Sequence, residues 1–314
     1  MTVNISVILT AYNRKEFLAD ALESLVSQTI NKDEFQVIII SNFDYNVERY
    51  DTLNIKKIQS EGTLGQYLQI GVKESTGNIL CFLDDDDCFH YNKLEIISKL
   101  MRDDTNYVKN EIKNFNKIEE VKEGSLTRTI LQSSPRYFIY EGNISCKPSM
   151  EFNLSSISVR RDLVSQYLDQ LNRLTAGPDT FVWFALIESG GIACYTPIEL
   201  TYYRVHDSTS NRESRDKRDL LKWYLKMLEF YEFCGEVFHN PHIKTLSASR
   251  SALLRVRRYV LSYGNTPLIK GDFKHLFSSG ISPSPCKKGS TSLLFKYLKT
   301  KFFKKRGRKK DVEV

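Results

Sequence analysis

The 314-residue sequence lacks the patterns that mark several common classes of protein. Its six cysteines include no C-x-x-C pair, which argues against a zinc knuckle and against a disulfide framework. No apolar run approaches the roughly 18 residues of a membrane-spanning helix, and the N-terminal segment MTVNISVILT lacks the basic stretch of a signal peptide. We therefore expect a cytoplasmic protein that is either soluble or peripheral on the inner face of the cell membrane.

Three ligand-binding signatures are also missing. The sequence contains neither G-x-x-x-x-G-K-[ST] nor G-x-G-x-x-G, so neither a P-loop ATPase nor a dinucleotide oxidoreductase is supported. A calcium-binding EF-hand loop starting at Asp84 fails because its sixth position is Phe89, where the turn requires glycine.

Positive charge is concentrated at the C-terminal end. The formal net charge is +7, but residues 287–314 carry +9 and the rest of the chain −2. Within this tail Leu294, Phe295, Leu298 and Phe302 can share one helical face among lysines, a pattern that suits an anionic membrane surface. A solvated, disordered tail fits the composition equally well. Because the net excess of positive charge is confined to this end and no recognised nucleic-acid-binding module accompanies it, we expect no nucleic-acid partner.

Strand-like and helix-like segments alternate along the first hundred residues. Apolar runs at 3–10, 35–41 and 78–83 are typical of buried strands, and helical spacing follows at 17–26 and 64–72. This alternation predicts an α/β fold with a mostly parallel sheet and helices on both faces. Later segments continue the pattern: a strand near 155–159, helices at 162–171 and 178–189, a strand near 192–205, and mainly helix beyond Asn211.

Four consecutive carboxylates, Asp84 to Asp87, directly follow the third predicted strand. Their mutual repulsion is costly unless cations or hydrogen bonds compensate it. Carboxylate oxygens are the ligands that Mg²⁺ and Mn²⁺ prefer, often together with substrate phosphates. The alternative is an acidic turn that caps the helix predicted at 91–101, although four acids exceed what a cap requires.

Four segments together resemble the family 2 glycosyltransferases with a GT-A fold. They are ISVILTAYNR, GTLGQYLQIGVKESTGNILCFLDDDD, GPDTFVWFALIESGG and YYRVHDSTSN. The resemblance covers roughly residues 3–211. It implies a divalent cation, Mn²⁺ or Mg²⁺, and a nucleotide-sugar donor, of which a UDP-sugar is favoured.

The resemblance also implies roles for individual residues. Asp84 and Asp86 would be the two acids of the DxD motif, with Asp86 as the principal metal ligand. The implied donor-binding residues are Ala11, Tyr12, Arg14, Asp44, Asp84, Asp85 and Arg204, and the implied metal ligands are Asp84, Asp86 and His206. Asp44 is the acid available at the end of the second strand, where the family usually has paired acids that read the nucleobase.

Asp179 matches the acid that this family uses as its catalytic base. It would deprotonate an acceptor hydroxyl, on a glycan or lipid-linked glycan, that attacks the sugar in line and inverts its configuration. Taken alone, Asp179 is more simply a first-turn helix residue favoured by the helix dipole. Pro178 stands where the family has a glutamate.

We expect a GT-A glycosyltransferase domain at 1–211, a helical extension at 212–290 and a basic amphipathic tail at 291–314. Within the domain, 1–101 would bind the nucleotide-sugar, 102–150 would be a variable insertion because its periodicity is lost, and 151–211 would bind the acceptor. Two rival functions remain: a non-catalytic carbohydrate- or nucleotide-binding protein of the same fold, and a sugar-phosphate nucleotidyltransferase. The Gly-rich signature of the latter is absent near the first strand.

Overall fold

The computed structural model describes residues 4–125, 134–140, 150–205, 216–263, 265–269 and 272. The chain divides into two compact units. One comprises Met1–Glu141 with Cys146–Ser208, and the other comprises Gly142–Ser145 with Thr209–Val314. The predicted metal ligand His206 and the basic tail at 291–314 lie outside the described residues.

The first half of the central sheet is parallel throughout. Its strands are β1 (Ile5–Ala11), β2 (Phe35–Ser41), β3 (Ile55–Gln59) and β4 (Ile79–Asp84), arranged in the order β3-β2-β1-β4. Every residue of β1 is buried, as expected of a parallel strand covered on both faces. This half confirms the α/β fold predicted from the apolar runs.

Helices cover both faces of the sheet, as the sequence predicts. Helices α1 (Leu18–Val26) and α3 (Lys93–Leu100) share one apolar cluster with Val7 and Leu9 of β1. Helix α2 (Leu64–Glu74) packs on the other face, where a Cβ added at Gly71 would lie 2.4 Å from Cγ2 of Ile8. Successive strand residues point to opposite faces of a sheet. Val7 therefore packs on the side of α1 and α3, and Ile8 packs on the side of α2.

The second half of the sheet is mixed in direction. It contains β5 (Cys88–Phe89), β6 (Thr105–Phe115), β7 (Arg136–Ile139), β8 (Ile157–Arg160) and β9 (Ile192–Arg204). Strand β8 runs antiparallel to both β4 and β6, whereas β6 and β9 are parallel. Strands β5 and β7 each pair antiparallel with β9. Strand β8 therefore begins at the sheet edge where β4 ends.

The expectation that 102–150 is a variable insertion is wrong for its first part. Thr105–Phe115 forms β6, which lies between β8 and β9 inside the sheet. Its apolar pattern is interrupted by Lys109 and Asn110, which are nonetheless buried. The Lys109 ammonium donates to Ser156 Oγ, and Asn110 Nδ2 donates to Thr201 Oγ1 at 3.0 Å. Buried polar groups that donate hydrogen bonds in this way hide a strand from a search for apolar periodicity.

The helices predicted beyond residue 150 are present with one difference, whereas α4 (Ile118–Ser125), inside the expected insertion, was not predicted. The helix expected at 162–171 is two short helices, α5 (Arg161–Ser165) and α6 (Leu168–Asn172). They come after α4 and before α7 (Pro178–Ser189), which matches the predicted bounds. The second unit contains α8 (Lys217–Val237) and α9 (Pro241–Leu261), which pack against each other.

Among the described residues, no helix has the length and apolar character needed to cross a membrane.

Candidate active site

The acidic tetrad forms a tight turn at the carboxyl edge of the parallel half-sheet. Asp84 is the last residue of β4, and its neighbour in the sheet is Thr10 of β1. The Thr10 hydroxyl lies 3.4 Å from Asp84 Oδ1, and the Asp85 N–H donates to the Thr10 carbonyl at 3.2 Å. The turn closes where the Asp87 N–H donates to the Asp84 carbonyl at 3.2 Å. The carboxylates thus stand at the edge where open α/β sheets bind ligands.

Three of these carboxylates can converge on one cation. Asp84, Asp86 and Asp87 each offer an oxygen, and these oxygens all lie within 4.8 Å of one another. Burial, followed by repulsion from the neighbouring acids, raises the pKa of Asp84 well above its ordinary value. Burial also raises the pKa of Asp87 to about 6. Hard oxygen donors that carry negative charge fit Mg²⁺ or Mn²⁺. Asp84 and Asp86 are predicted ligands, and Asp87 was not among them.

Arg14 partly neutralises the acidic turn from the loop after β1. Its guanidinium donates to Asp86 Oδ2 at 2.5 Å and also to Asp85. Asp85 is 1% exposed, and burial raises its pKa to about 7 even though Arg14 acts in the opposite direction. The resemblance implied that Arg14 binds the donor, and this stays a prediction. In the structure its guanidinium pairs with the carboxylates of the turn.

A second turn, residues 153–156, supports the acidic turn from the start of β8. The Asp84 N–H donates to Ser155 Oγ at 3.0 Å, and Asn153 Nδ2 donates to Asp87 Oδ2 at 2.9 Å. The buried ammonium of Lys93 donates to the carbonyl of Ser155. Neither Asn153 nor Ser155 was predicted as a site residue. No local motif marks them, because their role depends on the antiparallel direction of β8.

Asp179, on helix α7, contacts the second turn, residues 153–156. It is half-buried in the first turn of that helix, and its Oδ1 accepts the Thr180 N–H at 2.8 Å. Burial raises the pKa of Asp179 to about 6, although the backbone N–H groups of Thr180 and Asn153 favour its ionised form. The structure therefore brings the predicted base and the predicted metal ligands to one turn.

Arg204 fastens the acidic turn from the end of β9. Its backbone N–H donates to Asp87 Oδ1 at 3.1 Å, and its Nε donates to the Asp86 carbonyl at 2.9 Å. The same guanidinium pairs with Asp20 Oδ2 at 2.7 Å and lies 4.4 Å from the centre of the Phe17 ring. The resemblance implied that Arg204 binds the donor, and this stays a prediction. In the structure it is 7% exposed and holds the loop that carries the acids.

The predicted nucleotide end lies beside β1 and β2. Ala11 is fully buried, whereas Tyr12 is 53% exposed and its ring centre lies 6.2 Å from that of Tyr67, edge to face. Asp44 is exposed and its Oδ1 lies 2.8 Å from Lys57 Nζ, a contact that lowers the pKa of Asp44. Tyr12 is the exposed aromatic surface of this region, and a flat nucleobase is a natural ligand for such a ring.

A parallel half-sheet with an acidic turn at its carboxyl edge, joined through Asn153 to a carboxylate on a later helix, is the arrangement expected of a GT-A glycosyltransferase fold. Solved structures support this class. The Staphylococcus aureus enzyme TarS, residues 1–349 with UDP-GlcNAc, has a TM-score of 0.58 at 17% identity and covers 83% of this chain and 74% of its own. The mannosyltransferase PcManGT of Pyrobaculum calidifontis, with GDP-Man and Mn²⁺, has a TM-score of 0.53 at 13% identity, over 96% of this chain and 83% of its own.

Residues 6–168, just over half of the chain, match the family model of Glycosyl transferase family 2, and the chain belongs to that family. An uncharacterized glycosyltransferase of Haemophilus influenzae is 34% identical over 125 residues, which are 38% of this chain and 41% of that protein. The poly(ribitol-phosphate) beta-N-acetylglucosaminyltransferase TarS of S. aureus is 30% identical over 99 residues, 29% of this chain and 17% of that protein. The matches thus span less than half of these curated relatives. The family and the GT-A fold predicted from the sequence are confirmed.

Proposed function

We propose that this chain is a metal-dependent, inverting glycosyltransferase that moves a sugar from a nucleotide-sugar to a hydroxyl of a glycan or lipid-linked glycan. A UDP-sugar is the favoured donor. The observation that carries the proposal is the convergence of the acidic turn and Asp179 on residues 153–156. Two proteins of similar fold were solved with UDP-GlcNAc and with GDP-Man and Mn²⁺, which supports the donor class and the use of a metal.

Asp84, Asp86 and Asp87 would hold the divalent cation, because their oxygens cluster and their charge is only partly offset by Arg14. When bound, Mn²⁺ or Mg²⁺ supplies Lewis-acid stabilisation of the negative charge that grows on the leaving nucleoside diphosphate. Arg204 and the second turn keep these acids in place, so the carboxylates need not reorganise when the donor arrives.

Asp179 would act as the general base for the acceptor. With a pKa of about 6 it is largely ionised at pH 7, yet it accepts a proton more readily than a fully solvated carboxylate. The Thr180 N–H holds one of its oxygens at 2.8 Å, which fixes the orientation of the group. Attack by the deprotonated hydroxyl opposite the leaving diphosphate inverts the anomeric carbon.

The basic tail at 291–314 would hold the enzyme at an anionic leaflet, where a lipid-linked acceptor resides. Residues 287–314 contain eleven Lys and Arg residues, nine of them within the tail, and only two acids. Basic residues near such a surface contribute roughly 1 kcal/mol each.

The test is release of nucleoside diphosphate from a panel of nucleotide-sugars in the presence of Mn²⁺. Asp86→Ala should lose metal-dependent binding of UDP, whereas Asp179→Asn should keep binding and lose turnover. A matched control is Asp103→Asn, because Asp103 is exposed just before β6 at the opposite edge of the sheet. If both site variants release diphosphate as fast as the control, the assignment of the site is wrong.

A further inference from the structure

Asn153 has an unusual backbone conformation directly before β8. Its φ of 62° lies in the left-handed region that few residues other than glycine adopt, although asparagine tolerates it better than most. The residue is 7% exposed. A strained, buried residue at the meeting point of two loops persists only where the surrounding structure determines it.

The two ends of Asn153 contact the two halves of the site. Its Nδ2 donates to Asp87 Oδ2 at 2.9 Å, and its backbone N–H donates a hydrogen bond to the carboxylate of Asp179. An ionised carboxylate can only accept hydrogen bonds, so the side-chain amide of Asn153 must direct its Nδ2 group toward Asp87. The amide oxygen Oδ1 is then turned away, and it is buried without a hydrogen-bond partner. One residue therefore bridges the acidic turn and the base.

The rest of the second turn is held too firmly to absorb a shift of Asn153. Ser155 accepts the Asp84 N–H through its side chain and the Lys93 ammonium through its carbonyl. The Ser156 hydroxyl donates to the Asn153 carbonyl at 2.7 Å and accepts the ammonium of Lys109. A displacement at Asn153 would therefore reach Asp87 and Asp179 instead of being lost in a loose loop.

We propose that Asn153 is a positioning residue that sets the distance between the donor-side acidic turn and the general base Asp179. Its catalytic consequence rests on the proposed function, because it acts through those two acids and touches no reacting atom itself. Loss of the side-chain bond would misplace the base relative to the donor while leaving each group present.

Two substitutions separate this role from a purely conformational one. Asn153→Gly suits a positive φ, keeps the backbone N–H and removes only the amide that binds Asp87. Asn153→Asp has the same size but sets a carboxylate against Asp87 and beside Asp179. A conformational role predicts that glycine works at least as well as asparagine. The positioning role predicts that glycine impairs turnover and that aspartate impairs it further.

Two measurements on the full chain test the proposal. For Asn153→Gly we expect the Kd for UDP with Mn²⁺ to stay within about threefold of wild type, while kcat for hydrolysis of UDP-GlcNAc falls about 10- to 100-fold. Hydrogen exchange gives a readout that needs no turnover. UDP and Mn²⁺ should slow exchange of the amides at 180–183 in the wild type, and this protection should be lost in Asn153→Gly although UDP is bound.

The possible outcomes are distinguishable. Full turnover together with retained protection in Asn153→Gly overturns the positioning role. If the wild type binds UDP with Mn²⁺ but hydrolyses no nucleotide-sugar, the proposed function fails, and the exchange experiment alone then decides the role of Asn153. Absence of UDP binding by the wild type overturns both.

Discussion

Lys93 should make the stability of the first unit depend on pH. It is fully buried at the start of α3, where its Nζ donates to Thr201 Oγ1 at 2.8 Å and to the carbonyl of Ser155. Burial lowers its pKa from 10.5 to about 7. Its place at a helix N-terminus adds to the cost of the positive charge, since that end of the helix dipole is itself positive.

The sign of the effect follows from proton binding. Below pH 7 the lysine is charged in both the folded and the unfolded chain, so its burial costs the full amount. Between pH 7 and pH 10.5 the unfolded chain holds a proton that the folded chain does not, so the free energy of unfolding rises with pH. One pKa unit corresponds to about 1.4 kcal/mol, which gives a rise of about 2 kcal/mol from pH 7 to pH 9.

The substitution Lys93→Met should remove this rise and leave the unit at least as stable at pH 7. Methionine fills a similar volume, and both hydrogen-bond partners of the lysine keep another donor. Thr201 Oγ1 still accepts Asn110 Nδ2 at 3.0 Å, and the Ser155 carbonyl still accepts the Thr201 hydroxyl at 3.1 Å. Replacing a buried charge by an apolar side chain is then neutral or stabilising.

The assay is guanidinium unfolding at pH 7 and at pH 9, followed by tryptophan fluorescence. The sequence has two tryptophans, so a Trp223→Phe background leaves Trp183 in the first unit as the reporter. Lys109 also has a lowered pKa, of about 8, but it is present in both proteins and cancels in the difference. The exposed Lys99 on the same helix supplies the control, Lys99→Met. An equal rise in wild type and Lys93→Met would show that Lys93 is not its cause.

Four further results are expected. Gly65→Ala should cost more than about 2 kcal/mol in chemical unfolding, since its Cβ would lie 2.2 Å from the carbonyl oxygen of Leu171. Gly235→Ala, with 3.6 Å of clearance inside a helix, should instead be neutral or stabilising in the same experiment. Thr63→Ala removes the capping box of α2 and should cost about 1 kcal/mol. A chain ending at Ser290 should no longer co-sediment with anionic phospholipid vesicles, and unchanged binding would reject the proposed anchor.

The parallel half of the fold could be predicted because its signal is local. β1, β2 and β4 are buried on both faces, so each is a nearly unbroken apolar run in the sequence. The acidic turn was predictable for a related reason, because charge that follows such a run must lie at a sheet edge. What the pattern could not show is how the charge is compensated. Arg14 is close in sequence to β1, but its pairing with Asp85 and Asp86 depends on β1 and β4 being neighbours.

The second half of the fold was harder to predict because polar residues replace apolar ones inside it. Lys93, Lys109 and Asn110 are buried, and each donates a hydrogen bond to a partner that is distant in the sequence. A sequence pattern treats such residues as surface, which is why β6 was taken for part of an insertion. The role of Asn153 has the same origin, since an isolated asparagine carries no local signal for what it will bind.

The direction of β8 explains why the two halves of the site meet. Asp84 to Asp87 follow β4, and residues 153–156 precede β8, so they share an edge only because these neighbouring strands are antiparallel. A parallel β8 of the same four residues would place Asn153 at the opposite edge, more than about 13 Å away at 3.3 Å per residue. No hydrogen bond to Asp87 would then be possible, and Asp179 would lose the backbone N–H that links it to the acids. The antiparallel strand is thus a requirement of the proposed chemistry, because it links the acids that we propose for donor binding to Asp179, the proposed base.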